Sequence, residues 1–238
     1  VKVRESFQER HSDLPDADYK VYDELMFRHW DTYQDEFETQ IFLHSLGTDD
    51  QFKAKGINVL NGEVYSGIVP PFHGLDNVTF SPNEEQLLYV SKKMSKDEFA
   101  ISTNSQIFAY HILTGETKLL TADYKGYDMN PAFDTKGDFL AWLSMENDGF
   151  EADKNDIIIR DLVEGKDINL TGKFDLTVNN FKWSPDGKSI FFIATINATN
   201  QIFSVDLKNY KLTQITDGIF NYNDFQFAGK YLVGTRQS

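Results

Sequence analysis

Short apolar runs of four kinds recur in the same order along the chain, about 50 residues apart. Each unit opens with a short run that contains Phe80, Phe133 or Trp183. The second run of each unit covers 87–92, 139–144 or 190–195. The third run begins at residue 106, 156 or 201. The fourth run ends at Thr121, Thr171 or Thr216. Runs of this length, rich in β-branched and aromatic residues, are typical of buried strands. The pattern therefore predicts a repeating unit of four strands.

The segment between the first and second runs has the chemistry of a tight turn. In the third unit it reads Ser184-Pro185-Asp186-Gly187. Proline fixes φ, and the Asp-Gly pair accepts the unusual backbone angles that a turn requires. We interpret this motif as structural rather than functional.

Four strands per unit at this period predict an all-β fold, a β-propeller, in which each unit is one blade. A single blade cannot bury both of its faces, so neighbouring blades must stack to form the core. The aromatic residues of the first runs are expected to act as wedges between the blades. Three complete four-stranded blades are predicted at 75–121, 128–171 and 178–216, within a propeller that covers 19–238.

The two ends of the chain carry partial copies of the unit. The runs at 25–30 and 40–46 match the second and third strands, which predicts an irregular N-terminal blade over 19–60. Residues 222–238 supply the first two strands of a C-terminal blade that is cut short, so the chain is expected to be a propeller fragment. Residues 1–18 are predicted to be a linker or a short helix.

Composition narrows the possible functions. The formal net charge of −14 is spread along the chain, which argues against nucleic acid as a partner. No apolar run approaches the roughly 18 residues that a membrane-spanning helix needs, so membrane insertion is not expected. The absence of cysteine excludes disulfides and thiolate zinc sites. No cofactor is predicted.

No catalytic residue is predicted. The Gly-x-Ser-x-Gly motif that exposes the nucleophile of α/β-hydrolases is absent. The histidines are scattered, and two of them fall in equivalent third strands, which favours packing or surface positions over a catalytic base. They are His11, His29, His44, His73 and His111.

Residues 145–155 form an unusually long acidic connection between a second and a third strand. The candidate oxygen ligands for calcium in this connection and directly after it are Asn147, Asp148, Glu151, Asp153 and Asp156. Their spacing matches no known calcium loop, so a capped, hydrogen-bonded loop is favoured over a metal site. Because loops on a rigid scaffold often carry function, this connection is also a candidate binding element.

The Ser-Pro-Asp-Gly-Lys type of repeat at 184–188 resembles the propellers of TolB and of prolyl-oligopeptidase-family serine peptidases. The segments 26–32 and 141–154 favour the peptidases, since they resemble bacterial dipeptidyl and acylaminoacyl peptidases, particularly the dipeptidyl-peptidase 5 type. The resemblance implies a non-catalytic propeller that covers the active site of a following α/β-hydrolase domain, which is missing here, and limits access to small peptides. It also implies a periplasmic or secreted location. A stand-alone, TolB-like binding propeller is the alternative.

The resemblance implies that some propeller loops help recognise the amino end of a peptide substrate. An ammonium group that is buried without a partner costs several kcal/mol, roughly, so a carboxylate is needed at that place. Glu151 is the candidate carboxylate, and Arg28 and Trp30 are candidate wall residues.

Overall fold

The computed structural model describes residue 2 and residues 5–16, 21–22, 24–46, 56–69 and 74–237 of the chain. In these ranges helix is confined to one turn, α1 (Phe7–Arg10), the short α2 (Lys96–Ile101) and a 3-10 turn (Leu75–Asn77). No helix in these ranges is both long enough and apolar enough to cross a membrane. The all-β prediction is confirmed.

The N-terminal region contains two separate two-stranded ladders. Strand β1 (Arg28–His29) pairs with β2 (Thr32–Tyr33), and β3 (Phe42–Leu43) pairs with β4 (Ile57–Asn58). The run at 25–30 therefore does not pair with the run at 40–46, as adjacent strands of one regular blade would. The chain reverses immediately after β1, at Trp30, whose φ is +52°.

Three four-stranded antiparallel sheets follow, and in each one consecutive strands are neighbours. Sheet 1 contains β5 (Val78–Phe80), β6 (Gln86–Ser91), β7 (Gln106–His111) and β8 (Thr117–Leu119). Sheet 2 contains β9 (Asp128–Phe133), β10 (Phe139–Ser144), β11 (Asp156–Asp161) and β12 (Lys166–Asn169). Sheet 3 contains β13 (Val178–Trp183), β14 (Ser189–Ile196), β15 (Thr199–Asp206) and β16 (Leu212–Gln214). The four recurring runs of the sequence correspond to these strands.

A C-terminal hairpin packs against sheet 3. It consists of β17 (Asn221–Ala228) and β18 (Tyr231–Gln237). Phe225 is buried against Ile193 and Ile202 of sheet 3. The hairpin contains both strands predicted after residue 221.

Among the described residues the buried apolar side chains form four clusters, each between two successive parts of the chain. In β6, Leu87 and Tyr89 face the N-terminal region, whereas Leu88 and Val90 face sheet 2. Side chains alternate between the faces of a strand, so one continuous apolar run serves two clusters. Sheets 2 and 3 meet in a further cluster, and Phe225 completes the fourth.

The turn interpretation of Ser184-Pro185-Asp186-Gly187 is confirmed. The Ser184 hydroxyl donates to Asp186 at 2.7 Å and accepts from the Ser189 N–H at 3.0 Å. Gly187 has φ +68°, and its N–H donates to the Ser184 carbonyl at 2.9 Å. The serine hydroxyl therefore replaces solvent as a partner for the turn backbone.

The wedge prediction is confirmed for two of its three residues. Trp183 donates its Nε1–H to the Ala132 carbonyl of sheet 2 at 3.1 Å and packs against the cluster between sheets 2 and 3. Phe133 packs against the cluster between sheets 1 and 2. Phe80 is 49% exposed, so the prediction is wrong for that residue.

The recurring threonine after the fourth strand has a structural role. The Thr171 hydroxyl accepts from the Ile157 N–H at 2.9 Å and donates to the Asp156 carboxylate at 2.8 Å. The equivalent backbone bonds join Ile107 to Thr121 and Ile202 to Thr216. In each sheet the threonine lies just after the fourth strand, and its hydroxyl accepts a hydrogen bond from a backbone N–H of the third strand.

We expect Thr171→Val to destabilise the fold by about 1–3 kcal/mol, because it leaves the Ile157 N–H buried without an acceptor. Urea unfolding measures the difference. Thr213→Val, the same substitution at an exposed position of β16, should stay within about 0.5 kcal/mol of wild type. Equal effects at the two positions would contradict this role for the Thr171 hydroxyl.

A buried carboxyl group lies at the start of sheet 2. Asp128 accepts from Ser144 Oγ at 2.7 Å and from Trp142 Nε1 at 3.1 Å. Burial raises the pKa of Asp128 to about 7, although these two hydrogen bonds favour the charged form. The folded protein therefore holds a proton on Asp128 at pH values where an unfolded chain, with a pKa of about 3.9, has released it.

This raised pKa predicts a pH dependence of stability. The folded state binds more protons than the unfolded state between about pH 4 and 7, so this contribution is complete below pH 4 and is lost as pH rises to 7. Relative to Asp128→Asn, which does not titrate, wild type should lose about 1.4 kcal/mol per pH unit between roughly pH 5 and 7. Urea unfolding from pH 5 to 8 tests this expectation.

Asp217→Asn, at an exposed position, serves as the matched control and should keep the wild-type pH profile. Parallel profiles for wild type and Asp128→Asn would show that Asp128 stays ionised in the folded protein.

Candidate functional site

Two long connections lie side by side because sheets 1 and 2 are neighbours. In sheet 1, residues 92–105 join β6 to β7 and contain α2; in sheet 2, residues 145–155 join β10 to β11. Sheet 3 makes the same connection with a tight turn at Asn197 and Ala198, which have φ of +49° and +59°. Both long connections are thus additions to a unit that needs only a turn.

Helix α2 was missed by the strand-based reading of the sequence, although its start has a recognisable motif. Ser95 and Glu98 form a capping box, in which the Ser95 N–H donates to Glu98 Oε2 at 3.0 Å and the Glu98 N–H donates to Ser95 Oγ at 3.3 Å. At the other end, Lys92 Nζ donates to the carbonyls of Ser102 at 2.5 Å and Phe99 at 3.4 Å. Side chains therefore hold both ends of the helix.

The acidic connection is a hydrogen-bonded loop, as predicted. Asp153 accepts from the backbone N–H groups of Glu146, Asn147 and Lys154. Asp148 accepts across the sheet boundary, from the connection that contains α2. The carboxylates of this loop therefore accept hydrogen bonds from backbone N–H groups that have no strand partner.

Glu151 lines a cavity of about 350 Å³ bounded by both connections and by part of the N-terminal region. Lys92 also lines this cavity, is only 6% exposed and lies over the Phe99 ring at 4.1 Å. Burial lowers the pKa of Lys92 to about 8, while the charges of Asp148 and Glu151 favour its protonated form. Glu151 and the partly desolvated ammonium group of Lys92 therefore line the same cavity.

Arg28 lies in a neighbouring cavity of about 480 Å³. The two cavities share a wall formed by five residues: Met26, His29, Val69, Lys92 and Phe99. Trp30 lines neither cavity and is 79% exposed. The structure thus places Arg28 and Glu151 in adjacent cavities and leaves Trp30 outside both.

A buried carboxylate that the sequence reasoning did not identify lies in the wall of the larger cavity. Glu38 is 7% exposed and accepts from Ser66 Oγ at 2.6 Å, Gln34 Nε2 at 2.9 Å and Lys96 Nζ at 3.1 Å. Lys96 belongs to α2, so this cluster attaches the helix to the N-terminal region. Its partners are far apart in sequence, and no local motif signals it.

The histidines have different surroundings. His111 accepts from the Thr114 N–H at 3.2 Å in the turn after β7, and the His44 ring lies against Gly56. His29 lines both cavities. His73 lies outside the described residues. The packing or surface interpretation agrees with the positions of His44 and His111.

Comparisons with known proteins address the identity of the chain. No family model matches it. Dipeptidyl-peptidase 5 of Porphyromonas gingivalis is 31% identical over the whole chain, and that of Porphyromonas endodontalis is 35% identical over the whole chain. The chain spans 34% of the length of each of these relatives.

Solved structures share the fold at low sequence identity. A puromycin-hydrolysing peptidase of Mycobacterium tuberculosis matches 74% of this chain and 28% of its own, with a TM-score of 0.55 and 13% identity. TolB from Acinetobacter baumannii matches 83% of this chain and 49% of its own, with a TM-score of 0.52 and 16% identity. At these identities the likeness concerns the fold alone.

The stacked antiparallel sheets and their structural likenesses define a β-propeller segment. The chain belongs to the prolyl-oligopeptidase family of peptidases, as a propeller segment similar to dipeptidyl-peptidase 5.

The electrostatic link between Glu151 and Lys92 can be tested directly. Glu151→Gln removes a charge that favours the ammonium form, so the pKa of Lys92 should fall further below its ordinary value, by a few tenths of a unit to about one unit. The ¹³C chemical shift of the Lys92 Cε in a pH titration measures it. Glu146→Gln, at an exposed position of the same loop, should leave the pKa of Lys92 unchanged. Indistinguishable titrations would mean that Glu151 does not face Lys92.

Proposed function

We propose that this chain is the non-catalytic propeller domain of a serine exopeptidase of the dipeptidyl aminopeptidase or acylaminoacyl-peptidase type. Its partner is an α/β-hydrolase domain of the same protein, and its ligands are peptide substrates. The full-chain identity to dipeptidyl-peptidase 5, over only 34% of the length of those enzymes, supports this division of roles. The propeller covers the hydrolase active site and limits access to small peptides.

The finer architecture follows from the same proposal. Sheets 1, 2 and 3 are three complete blades, the 19–60 region is an irregular blade, and the hairpin from residue 221 is part of a further blade. Stacking of one sheet on the next, through separate apolar clusters, supports this assignment. We assign the protein to the periplasm or to the secreted fraction on the basis of the peptidase resemblance.

The single observation that carries a role in substrate binding is the position of Glu151 in a cavity between two connections that exceed the needs of the fold. A peptide with a free amino end brings an ammonium group, which requires a carboxylate partner if it loses water. Glu151 supplies this carboxylate, and Arg28 in the adjacent cavity contacts the rest of the peptide. Trp30 is exposed beside His29 but lines neither cavity, so the proposal does not include it as a wall residue.

A stand-alone binding propeller, similar to TolB, is the alternative. The TolB likeness favours it only at the level of fold, because the identity is 16%. The coding sequence beyond Ser238 discriminates between the two. A strand, a Gly-x-Ser-x-Gly motif and a helix after further blade strands would support the peptidase, and their absence would support the TolB-like protein.

The experiment for Glu151 compares free and amino-blocked peptides in the full-length protein. Glu151→Gln should lower kcat/KM for the free peptide at least about tenfold, which is about 1.4 kcal/mol, and leave the blocked peptide nearly unchanged. The reason is that only the free peptide presents an ammonium group to the carboxylate.

Glu146→Gln is the matched control, since Glu146 lies in the same loop and is exposed. It should change neither value by more than about twofold, in keeping with the small effects of exposed positions. Equal losses for free and blocked peptides with Glu151→Gln would assign Glu151 to holding the loop instead.

A further inference from the structure

Asp148 joins the two long connections across the boundary between sheets 1 and 2. Its Oδ1 accepts from Ser102 Oγ at 2.7 Å, from the Thr103 N–H at 2.7 Å and from the Asn104 N–H at 3.2 Å. All three donors belong to the connection of sheet 1. Partial burial raises the pKa of Asp148, but these hydrogen bonds outweigh it and hold the pKa below its ordinary value.

Further hydrogen bonds stabilise this junction between residues 102–104 and Asp148. The Gly149 N–H donates to Thr103 Oγ1 at 2.9 Å, and Gly149 has φ +75°, a conformation that favours glycine. Lys92 donates to the Ser102 carbonyl at 2.5 Å. Ser102 is therefore bonded through its hydroxyl by Asp148 and through its carbonyl by Lys92.

Asp153 provides a contrast within the same loop. Its carboxylate also accepts several N–H groups, but all of them come from residues 146–154. Asp153 thus shapes the loop alone, whereas Asp148 bonds the loop to the connection that contains α2.

We propose that Asp148 is a positioning residue that makes the two connections one unit and thereby fixes where Glu151 stands. Glu151 follows Asp148 by three residues, so the anchored Asp148 limits the positions that Glu151 can take. Lys92 and Glu151 come from different sheets, and the Asp148 junction sets their relative position. The link to substrate binding rests on the proposed function, whereas the mechanical coupling does not.

Hydrogen exchange in the full-length protein tests the coupling. The amides of Phe99 and Ser102 are protected by bonds to the carbonyls of Ser95 and Glu98. Asp148→Asn should accelerate their exchange at least about tenfold, since hydrogen bonds to a charged acceptor are stronger than those to a neutral one. Asp153→Asn, the matched control, should leave these amides at the wild-type rate. Unchanged exchange in Asp148→Asn, or equal acceleration in both variants, would overturn the proposal.

A substitution on the opposite side of the junction tests reciprocity. A coupling free energy acts equally in both directions. Thr103→Val removes the acceptor of the Gly149 N–H and keeps the shape of the side chain. The Asn147 amide keeps its own acceptor, Asp153, in this variant, so coupling between the connections should make it exchange at least about tenfold faster. Wild-type exchange of the Asn147 amide in this variant would contradict a shared unit.

Activity measurements with free and amino-blocked peptides separate the positioning role of Asp148 from the proposed binding role of Glu151. If both hold, Asp148→Asn should lose at least about threefold of the preference for free over amino-blocked peptides, chiefly through KM, while Glu146→Gln, at an exposed position of the same loop, keeps it. If Glu151→Gln has no effect on this preference but the exchange results hold, the proposed function fails and the coupling stands. If Glu151→Gln behaves as expected and Asp148→Asn keeps wild-type exchange and preference, the positioning role fails alone.

Discussion

The fold depends on one constraint, which is that the central strands are apolar on both faces. Leu87 and Leu88 point in opposite directions from β6, and each is almost completely buried. A sheet with two apolar faces cannot be stable in water unless both faces are covered. Stacking on the preceding and following parts of the chain covers them. Most of the other features of the molecule follow from this arrangement.

Stacking also buries polar backbone groups at the ends of the strands, where no ladder partner remains. The threonine after each fourth strand and the serine of the Ser184 turn supply the missing partners from side chains. The same side chains recur in the sequence because the same backbone groups are left without a ladder partner in each unit. The same backbone geometry in each unit thus explains why the same residue types repeat in the sequence.

Function is expected where the repeat is broken. A rigid stack allows a connection to be long without disturbing the core. The connections between the second and third strands of sheets 1 and 2 are both long, and they lie at the same end of their sheets. The buried ammonium group of Lys92 and the carboxylate of Glu151 line the cavity between these connections. The peptidase relatives are about three times as long as this chain, so the chain corresponds to only part of each of them.

Local periodicity and turn chemistry were enough to predict the strands and the turns of the repeating unit. Strand β10 coincides with the predicted run at 139–144, and the Ser184 turn was recognised from its residue types. Local similarity failed where burial depends on neighbours: Phe80 matches Trp183 in position but is half exposed, and the 25–30 run pairs with β2 instead of 40–46.

The assembly of the candidate site depends on contacts that local sequence patterns do not predict. The bonds between Asp148 and residues 102–104, the attachment of Glu38 to Lys96, and the approach of Met26 and His29 to Lys92 all join residues far apart in the chain. Such contacts have no period and no local motif, because they join segments that lie close together only when the sheets are stacked. The long acidic loop was visible in the sequence, whereas its partner was not.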